Sequence, residues 1–252
     1  MHRTRLSQNL RSILDFLAVD ARQAGEQLPG IFPAIELENG IGTAPDVLTF
    51  RRNIVSESLT ICNNINPGDT LGNIKLNNTT SGRPPVCVYG SQTVAYNSWN
   101  AHRTSNGGSF KAYIFNTSTR NGEFVDISNL TNSGSNMNIV AANKTFLNSY
   151  PRYTSVLYVI EEWKYTLNND HELILTENQD TTNVKKIAFD ITGFDVSITL
   201  ADGTNLTSFD TTKKWGDIQN VEIQLNGESD SGRKHYTDSL SSKFFPRNIL
   251  SL

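Results

Sequence analysis

Apolar side chains recur at intervals of three and four residues over the first part of the chain. They are Leu6, Leu10, Ile13, Leu14, Leu17, Ala21 and Ala24. Because an α-helix repeats every 3.6 residues, this spacing forms one stripe and predicts an amphipathic helix from about Thr4 to Ala24. The opposite face carries charged residues, namely Arg11, Asp15, Asp20 and Arg22. Gly25 is placed to cap the C-terminal end of the helix, and Pro29 follows soon after.

After the helix, alternating and β-branched runs predict short strands separated by turns. The strands are predicted at Asp46–Arg52, Leu59–Cys62, Ile74–Leu76, Val86–Tyr89, Ala112–Phe115, Val156–Ile160, Trp163–Leu167, Leu173–Leu175, Ile187–Ile191, Val196–Leu200 and Val221–Leu225. Two stretches dominated by polar residues, Asn97–Ser109 and Ser128–Asn138, are predicted to be loops. Asn168–Asp170 and Asp202-Gly203 are predicted turns, the latter of the hairpin kind. The last hundred residues contain no crossover helix, so the strands predict an antiparallel meander and an α+β fold class.

The pattern divides the chain into a helix at residues 1–25 and a β-rich head at residues 26–252. Within the head, an Asn-rich segment at 56–150 reads as an insertion, and 151–252 reads as the antiparallel meander. Hydrophobic residues make up 37% of the 252, and the mean hydropathy is −0.38. No run of roughly 18 or more apolar residues is present, so no predicted element spans a membrane. The charge is uneven: residues 62–160 carry seven basic and three acidic side chains, while residues 161–232 carry five basic and fourteen acidic ones.

The two cysteines, Cys62 and Cys87, each lie in a predicted strand. A disulfide between them would close one loop and indicate an oxidising, extracytoplasmic compartment. The alternative is a pair of buried free thiols, which behave as small hydrophobic side chains.

Residue patterns typical of enzymes are missing from the sequence. The chain has no Gly-x-Ser-x-Gly nucleophile turn and no glycine-rich phosphate loop, and His171-Glu172 lacks the second histidine of a zinc-protease helix. The paired carboxylates Glu161 and Glu162 would face opposite sides of a strand, and we interpret them as solvated surface. We therefore predict no catalytic residue, no metal site and no cofactor.

The Asn-rich segment contains the best candidates for a binding surface. Its cations and aromatic rings are Arg83, Tyr96, Trp99, Arg103, Lys111 and Arg120. Rings that stack beside basic side chains are typical of single-stranded nucleic acid binding, and rings also stack on sugars. The alternative is that the rings pack inward and the cations are dispersed over the surface. The modest positive charge of this segment favours that alternative, because strong DNA binding needs many phosphate contacts.

Several segments together resemble PilW-type minor pilins of type IV and competence pili and, more distantly, the J-type minor pseudopilins of type II secretion. They are the helix exit at 20–25, the strand run at 156–167, the strand pair from Ile187 to Gly203, the segment from Trp215 to Leu225 and the tail Phe245–Asn248. They cover roughly the first 55 and the last 100 residues.

The resemblance implies a non-enzymatic pilus subunit whose N-terminal helix packs on antiparallel sheet. It implies other minor and major pilins as partners, with DNA as a further candidate. It also implies a membrane-spanning helix before Arg3, anchoring in the inner membrane before assembly, and a place on the cell-surface pilus afterwards. In this interpretation the helix contacts partners through Leu6, Leu10, Ile13, Leu14 and Leu17.

The helix bears on one further expectation and on the alternative function. We expect Leu6 and Leu10 to be poorly covered within the chain, so that Leu10→Glu disturbs assembly with other pilins more than folding. The alternative function is a secreted β-rich module that binds glycans or surfaces, with Tyr96 and Trp99 stacking on sugars. A free module of that kind has no need of a leading amphipathic helix.

Overall fold

A computed structural model describes residues 2–41, 44–231 and 234–248. The protein is a mixture of helix and antiparallel sheet in which strands dominate, with 17% of residues helical and 44% in strands. It divides into two compact units. Unit 1 comprises Met1–Arg52 and Glu161–Leu252, and unit 2 comprises Asn53–Ile160.

Within the described residues the elements are two α-helices, fifteen strands and two short 3-10 helices. In chain order they are α1 (His2–Gln23), β1 (Ile35–Glu38), β2 (Val47–Asn53), β3 (Leu59–Thr60), β4 (Thr70–Lys75), a 3-10 helix (Pro85–Cys87), α2 (Thr93–Ser105), β5 (Phe110–Asn116), β6 (Gly122–Ser133), β7 (Asn136–Thr145), β8 (Ser155–Tyr158), β9 (Ile160–Leu167), β10 (Leu173–Glu177), β11 (Lys185–Ala188), β12 (Ile191–Leu200), β13 (Asn205–Leu206), a 3-10 helix (Trp215–Asp217), β14 (Ile218–Ser231) and β15 (Lys234–Phe244).

Unit 1 contains two sheets and the leading helix. One sheet has the strand order β1-β2-β9-β10-β11, and the other has the order β13-β12-β14-β15. The long hairpin of β14 and β15 pairs Val221 with Phe244 at one end and Ser231 with Lys234 at the other. Helix α1 packs against β14 and β15, so the second sheet supports the helix directly.

The sheet under α1 has one apolar and one polar face. Along β15 the burial alternates with a period of two residues, as expected when side chains of a strand point to opposite faces. Tyr236 and Leu240 are partly buried, whereas Ser239 and Ser241 between and beyond them are exposed. The apolar face is therefore the one that α1 covers, and the polar face remains in solvent.

Unit 2 is a six-stranded sheet with the order β3-β8-β5-β6-β7-β4, together with α2. Its core includes Trp99, Ile114, Ile127, Phe146 and Tyr150. Neighbouring strands of this sheet pair antiparallel, including β5 with β6 and β6 with β7. The predicted strands at Leu59, Ile74 and Ala112 correspond to β3, β4 and β5.

Three predictions for unit 2 are wrong. Residues 93–105 form α2 rather than part of a loop, residues 128–138 belong to the β6–β7 hairpin, and residues 85–87 form a 3-10 turn rather than a strand. The hairpin turns at Gly134, whose φ of +62° suits glycine. In the first two cases Asn, Ser and Thr dilute the apolar pattern, so tertiary packing determines the structure where local propensity is weak. The third segment begins at Pro85, whose missing N–H and fixed φ disfavour a strand.

No helix among the described residues is both long enough and apolar enough to cross a membrane.

Candidate functional site

The apolar stripe of α1 faces the sheet of its own unit along its whole length. Its predicted partner-binding side chains are all buried, with exposed fractions of 4% for Leu6, 0% for Leu10, 4% for Ile13, 5% for Leu14 and 0% for Leu17. Gly227 on β14 permits the close approach, because a Cβ there would lie 3.0 Å from Leu6 Cδ1 and 3.3 Å from Leu10 Cδ2. The expectation that Leu6 and Leu10 are poorly covered is therefore wrong.

Polar contacts also stabilise α1 near both of its ends. Near its start, Ser7 Oγ donates a hydrogen bond to Asp238 on β15, and Asn9 Nδ2 donates to the carbonyl of Phe189 at 3.1 Å. Near its end, Tyr165 Oη donates to the carboxylate of Asp20. Asp20 was predicted on the solvent face, but it is only 8% exposed. Burial raises the pKa of Asp20 above its ordinary value, although the hydrogen bond from Tyr165 acts in the opposite direction.

Residues from the C-terminal half of unit 1 pack against the C-terminal end of α1. Gly25 has a φ of +78°, and a Cβ on it would overlap the indole ring of Trp215, so both conformation and space require glycine there. The Trp215 indole N–H donates to the carbonyl of Pro29 at 3.0 Å. Asn248 Nδ2 donates to the carbonyl of Ala24 at 3.0 Å. The helix ends just before Gly25, as predicted, but the Gly25 N–H donates to the carbonyl of Arg51 at 2.8 Å and not to the helix. The cap on the last carbonyls comes from Asn248, far along the sequence.

The outer face of α1 carries exposed residues at helical heptad spacing. They are Arg5, Gln8, Ser12, Asp15, Val19 and Arg22, and we call this set the outer seam. Val19 is 48% exposed and the neighbouring Phe16 is 44% exposed, which is high for large apolar side chains. The intervals of three and four residues are those of helices that pack side by side.

A groove of about 490 Å³ lies where the outer seam meets the tail. Its lining includes Val19, Arg22, Glu26, Arg52 and Arg247. The Arg52 guanidinium is neutralised within the chain, because it lies 2.6 Å from Glu161 and 3.7 Å from Glu26. It also lies 5.1 Å from the ring centre of Trp163.

The neighbouring Arg51 is buried and forms a charged cluster inside unit 1. Arg51 Nε lies 2.6 Å from Glu162, and its Nη2 lies 2.9 Å from Glu36. Its Nη1 donates to the carbonyl of Pro33 at 2.7 Å. Glu162 is only 1% exposed, so the interpretation of Glu162 as solvated surface is wrong. Its neighbour Glu161 pairs with Arg52 on the other side of the strand, so the two carboxylates do face opposite sides and form no acid–base pair.

The disulfide is present between Cys62 and Cys87, whose Cα atoms are 5.8 Å apart. Beside it, the buried side chain of Gln92 satisfies three backbone groups. Its Oε1 accepts from Thr60 N at 2.7 Å, and its Nε2 donates to the carbonyls of Thr60 at 2.9 Å and Leu76 at 2.8 Å. The disulfide and Gln92 together fix the segment that leads into α2.

The aromatic residues proposed to stack on bases or sugars lie inside unit 2. Trp99 is fully buried and Tyr96 is 7% exposed. The Trp99 indole N–H donates to the carbonyl of Glu57 at 2.8 Å, and its ring packs edge-on against Phe110. These two rings therefore present no face to solvent for stacking.

The cations of the same candidate set are spread over different elements. Arg103 lies at the end of α2 and donates to Asn100 Oδ1 and to the carbonyl of Gly108. Lys111 lies on β5, opposite Asp126 on β6. Arg120 follows the far end of β5, which places it roughly 17 Å along the strand from Lys111. Arg83 donates to the carbonyl of Thr80 at 3.1 Å. Arg103 acts electrostatically on Tyr96 of the same helix, but Arg83, Lys111 and Arg120 lie on other elements, so the four cations do not form one surface with Tyr96 and Trp99.

Comparison with known proteins provides no relative for this arrangement: the chain matches no protein-family model, no curated protein and no solved structure. Among the described residues, no group of three or more His, Cys, Asp or Glu side chains is placed to hold a metal ion.

The site therefore differs from the one predicted. Partner binding was predicted on the inner stripe, and neither Phe16 nor Val19 was among the predicted site residues. Arg247 and Asn248 were named only as part of the tail that resembles the pilin ending. The signal available in the sequence was Phe16 and Val19, two large apolar residues that lie off the apolar stripe of α1. Polar residues dominate the outer seam, so hydrophobicity alone does not reveal it.

Proposed function

We propose that this protein is a non-enzymatic α+β subunit of a type IV or competence pilus, of the minor-pilin kind. Its partners are other minor and major pilins, which contact it along the outer face of α1. It is anchored in the inner membrane by a preceding helix before assembly and lies on the cell-surface pilus afterwards.

The observation that carries the proposal is the two-sided character of α1. Its inner stripe is buried on β14 and β15, while Phe16 and Val19 on the outer side remain about half exposed. A helix whose apolar stripe is already covered needs no exposed large side chains for its own folding. Two exposed large apolar side chains, three residues apart on the outer side of a helix, form a surface on which another helix can pack.

Two further features support it. The tail that resembles the pilin ending docks on the helix exit through Asn248, so the two ends of the chain form one structural element. The Cys62–Cys87 disulfide is consistent with an oxidising compartment outside the cytoplasm.

The alternative of a secreted glycan-binding module has lost its main support. That hypothesis depended on Tyr96 and Trp99 as exposed rings, and both are buried. DNA binding through Tyr96 and Trp99 loses its support for the same reason, because buried rings cannot stack on bases. We therefore retain the pilus subunit as the function that the structure supports best.

A gene deletion in the source organism tests the proposal. We expect fewer surface pili by electron microscopy, and restoration by the wild-type gene. Complementation with Val19→Glu should fail although the protein accumulates normally, because the substituted side chain is exposed. The matched control is Val94→Glu, which replaces a valine that is 71% exposed on α2 and should complement.

Normal piliation and normal transformation in the deletion strain would contradict the proposal. The sequence upstream of Arg3 in the native gene provides an independent test. A short basic leader, a cleavage site and about 20 apolar residues are expected there, and a plain signal peptide that runs directly into Arg3 would contradict membrane anchoring.

A further inference from the structure

Unit 2 has an apolar core of its own. Its buried apolar side chains form one cluster, and every member of that cluster lies between Val55 and Val159. Helix α2 contributes Trp99 to the cluster and packs against β6 of the same unit. A chain segment of about 50–250 residues with its own core has what a domain needs to fold alone. Unit 2, which spans Asn53–Ile160, lies within that range.

Unit 1 completes a separate core from the two ends of the chain. Leu10 and Leu17 are fully buried on α1, which packs against β14 and β15. In the other sheet of the unit, the ring of Phe50 on β2 packs edge-on against Tyr165 on β9, with ring centres 6.2 Å apart. The segments before and after unit 2 therefore build one core together, and unit 2 is inserted between them.

Each unit is closed by contacts of its own where the chain passes between the two. The chain leaves unit 1 after Arg52 and re-enters it at Glu161. Within unit 1, Arg52 Nε donates to Glu161 Oε2 at 2.8 Å. Within unit 2, the Ile54 N–H donates to the carbonyl of Val159 at 2.9 Å. If unit 2 unfolds, unit 1 must close a loop of about a hundred residues, and the entropic cost of closure grows only slowly with loop length.

The disulfide belongs entirely to unit 2. Cys62 is 2% exposed and Cys87 is fully buried, and the chain contains no other cysteine. A disulfide stabilises a fold mainly by restricting the unfolded chain that it cross-links. The chain that this bond restricts is the segment from Cys62 to Cys87, which lies wholly inside unit 2.

We propose that unit 2 is a disulfide-dependent domain inserted into unit 1, so that loss of the Cys62–Cys87 bond destabilises unit 2 while unit 1 stays folded. The two units then unfold in separate steps, and only one of the steps responds to reductant. Helix α1 keeps its supporting sheet, and its outer face with Phe16 and Val19, in either redox state. The inference goes beyond the proposed function, because it depends on the two cores and not on any partner.

Hydrogen exchange of the purified full-length protein, measured by mass spectrometry, tests the proposal. We compare the parent with a Cys62→Ala/Cys87→Ala variant and with the parent in reductant. In both comparisons the slowest amides of β5, β6 and β7 should exchange about a hundredfold faster or more, as loss of the cross-link implies. The slowest amides of β14 and β15 should keep their rates to within about twofold.

Two buried tryptophans provide a matched pair that does not involve the disulfide. Trp99 in unit 2 and Trp215 in unit 1 are both fully buried. Each indole N–H donates to a backbone carbonyl of its own unit, at 2.8 Å to Glu57 for Trp99 and at 3.0 Å to Pro29 for Trp215. Since each truncation leaves a large cavity in one core, Trp99→Ala should speed exchange in β5–β7 alone and Trp215→Ala in β14 and β15 alone.

Three results would overturn the proposal. Faster exchange of β14 and β15 in the cysteine variant, up to complete unfolding of the chain, would show that the units unfold together. Loss of protection in both units from either tryptophan variant would show the same. Unchanged exchange of β5–β7 without the disulfide would show that unit 2 does not depend on the bond. None of these results bears on whether pili are lost in the deletion strain, so failure of this inference is distinguishable from failure of the proposed function.

Discussion

Replacing Leu10 tests whether the inner stripe serves folding or assembly. Leu10 is fully buried between α1 and β14, next to Gly227. Truncating a buried leucine to alanine costs about 3–5 kcal/mol through lost burial and the cavity left behind. Leu10→Glu should cost more, because the carboxylate would enter an apolar site without a partner. We therefore expect both variants to be folding variants, contrary to the expectation drawn from the sequence.

The assay is urea unfolding combined with amide hydrogen exchange. Exchange measured by mass spectrometry reads β14 and β15 separately from unit 2, so a loss of protection confined to unit 1 would identify where the damage lies. Val19→Glu is the matched control on the same helix, and its free energy of unfolding should stay within about 0.5 kcal/mol of the parent. Unchanged protection of β14 in Leu10→Glu would refute the packing of the inner stripe described above.

Three further perturbations have defined outcomes. Gly25→Ala should lower the free energy of unfolding by about 2 kcal/mol or more, because the backbone is left-handed there and the new Cβ would overlap the Trp215 indole ring. Gly203→Ala is also at positive φ but has no neighbouring atoms, so it should cost about 1 kcal/mol. Equal losses in thermal melts would contradict this. Reduction of Cys62–Cys87 should cost about 3.5 kcal/mol in the chain-entropy model, and identical melting with and without reductant would refute it. Because the pKa of Asp20 is raised in the folded protein, the stability that this side chain contributes is fully present below its ordinary pKa of 3.8. That stability is lost as pH rises through the folded pKa. Asp20→Asn should therefore gain stability relative to the parent as pH rises above 3.8 in urea titrations, and a constant difference would contradict the assignment.

The leading helix could be predicted in detail because its signal is local. The stripe from Leu6 to Ala24 fixes the helix, and Gly25 fixes its end, so a single stretch of sequence contains the information. The pairing of the disulfide could also be predicted, because two cysteines allow only one intramolecular pairing. Whether the thiols were oxidised could not be decided from their spacing.

The second helix could not be predicted in the same way. In α2, Asn, Ser and Thr occupy much of the helix and have weak intrinsic preference for it. Its place is determined by Tyr96 and Trp99, which are three residues apart and enter the core of unit 2. The same two rings were interpreted as an exposed binding surface, because sequence alone does not tell which side of a short aromatic segment is buried.

The C-terminal cap of α1 illustrates a contact that no local pattern indicates. Asn248 reaches the carbonyl of Ala24 across 224 residues of sequence. The burial of Glu162 is similar, since it depends on Arg51, which lies 111 residues earlier. Contacts of this length depend on the assembled fold, so the candidate site at the helix exit emerged only from the structure.

The most direct test of the central claim is mass spectrometry of pili sheared from the source organism. We expect peptides of this chain to co-purify with the pilus fraction from wild-type cells and to disappear from it in Val19→Glu cells, while the protein remains in their envelope. Detection only in the culture supernatant, with no pilus association in either strain, would contradict it.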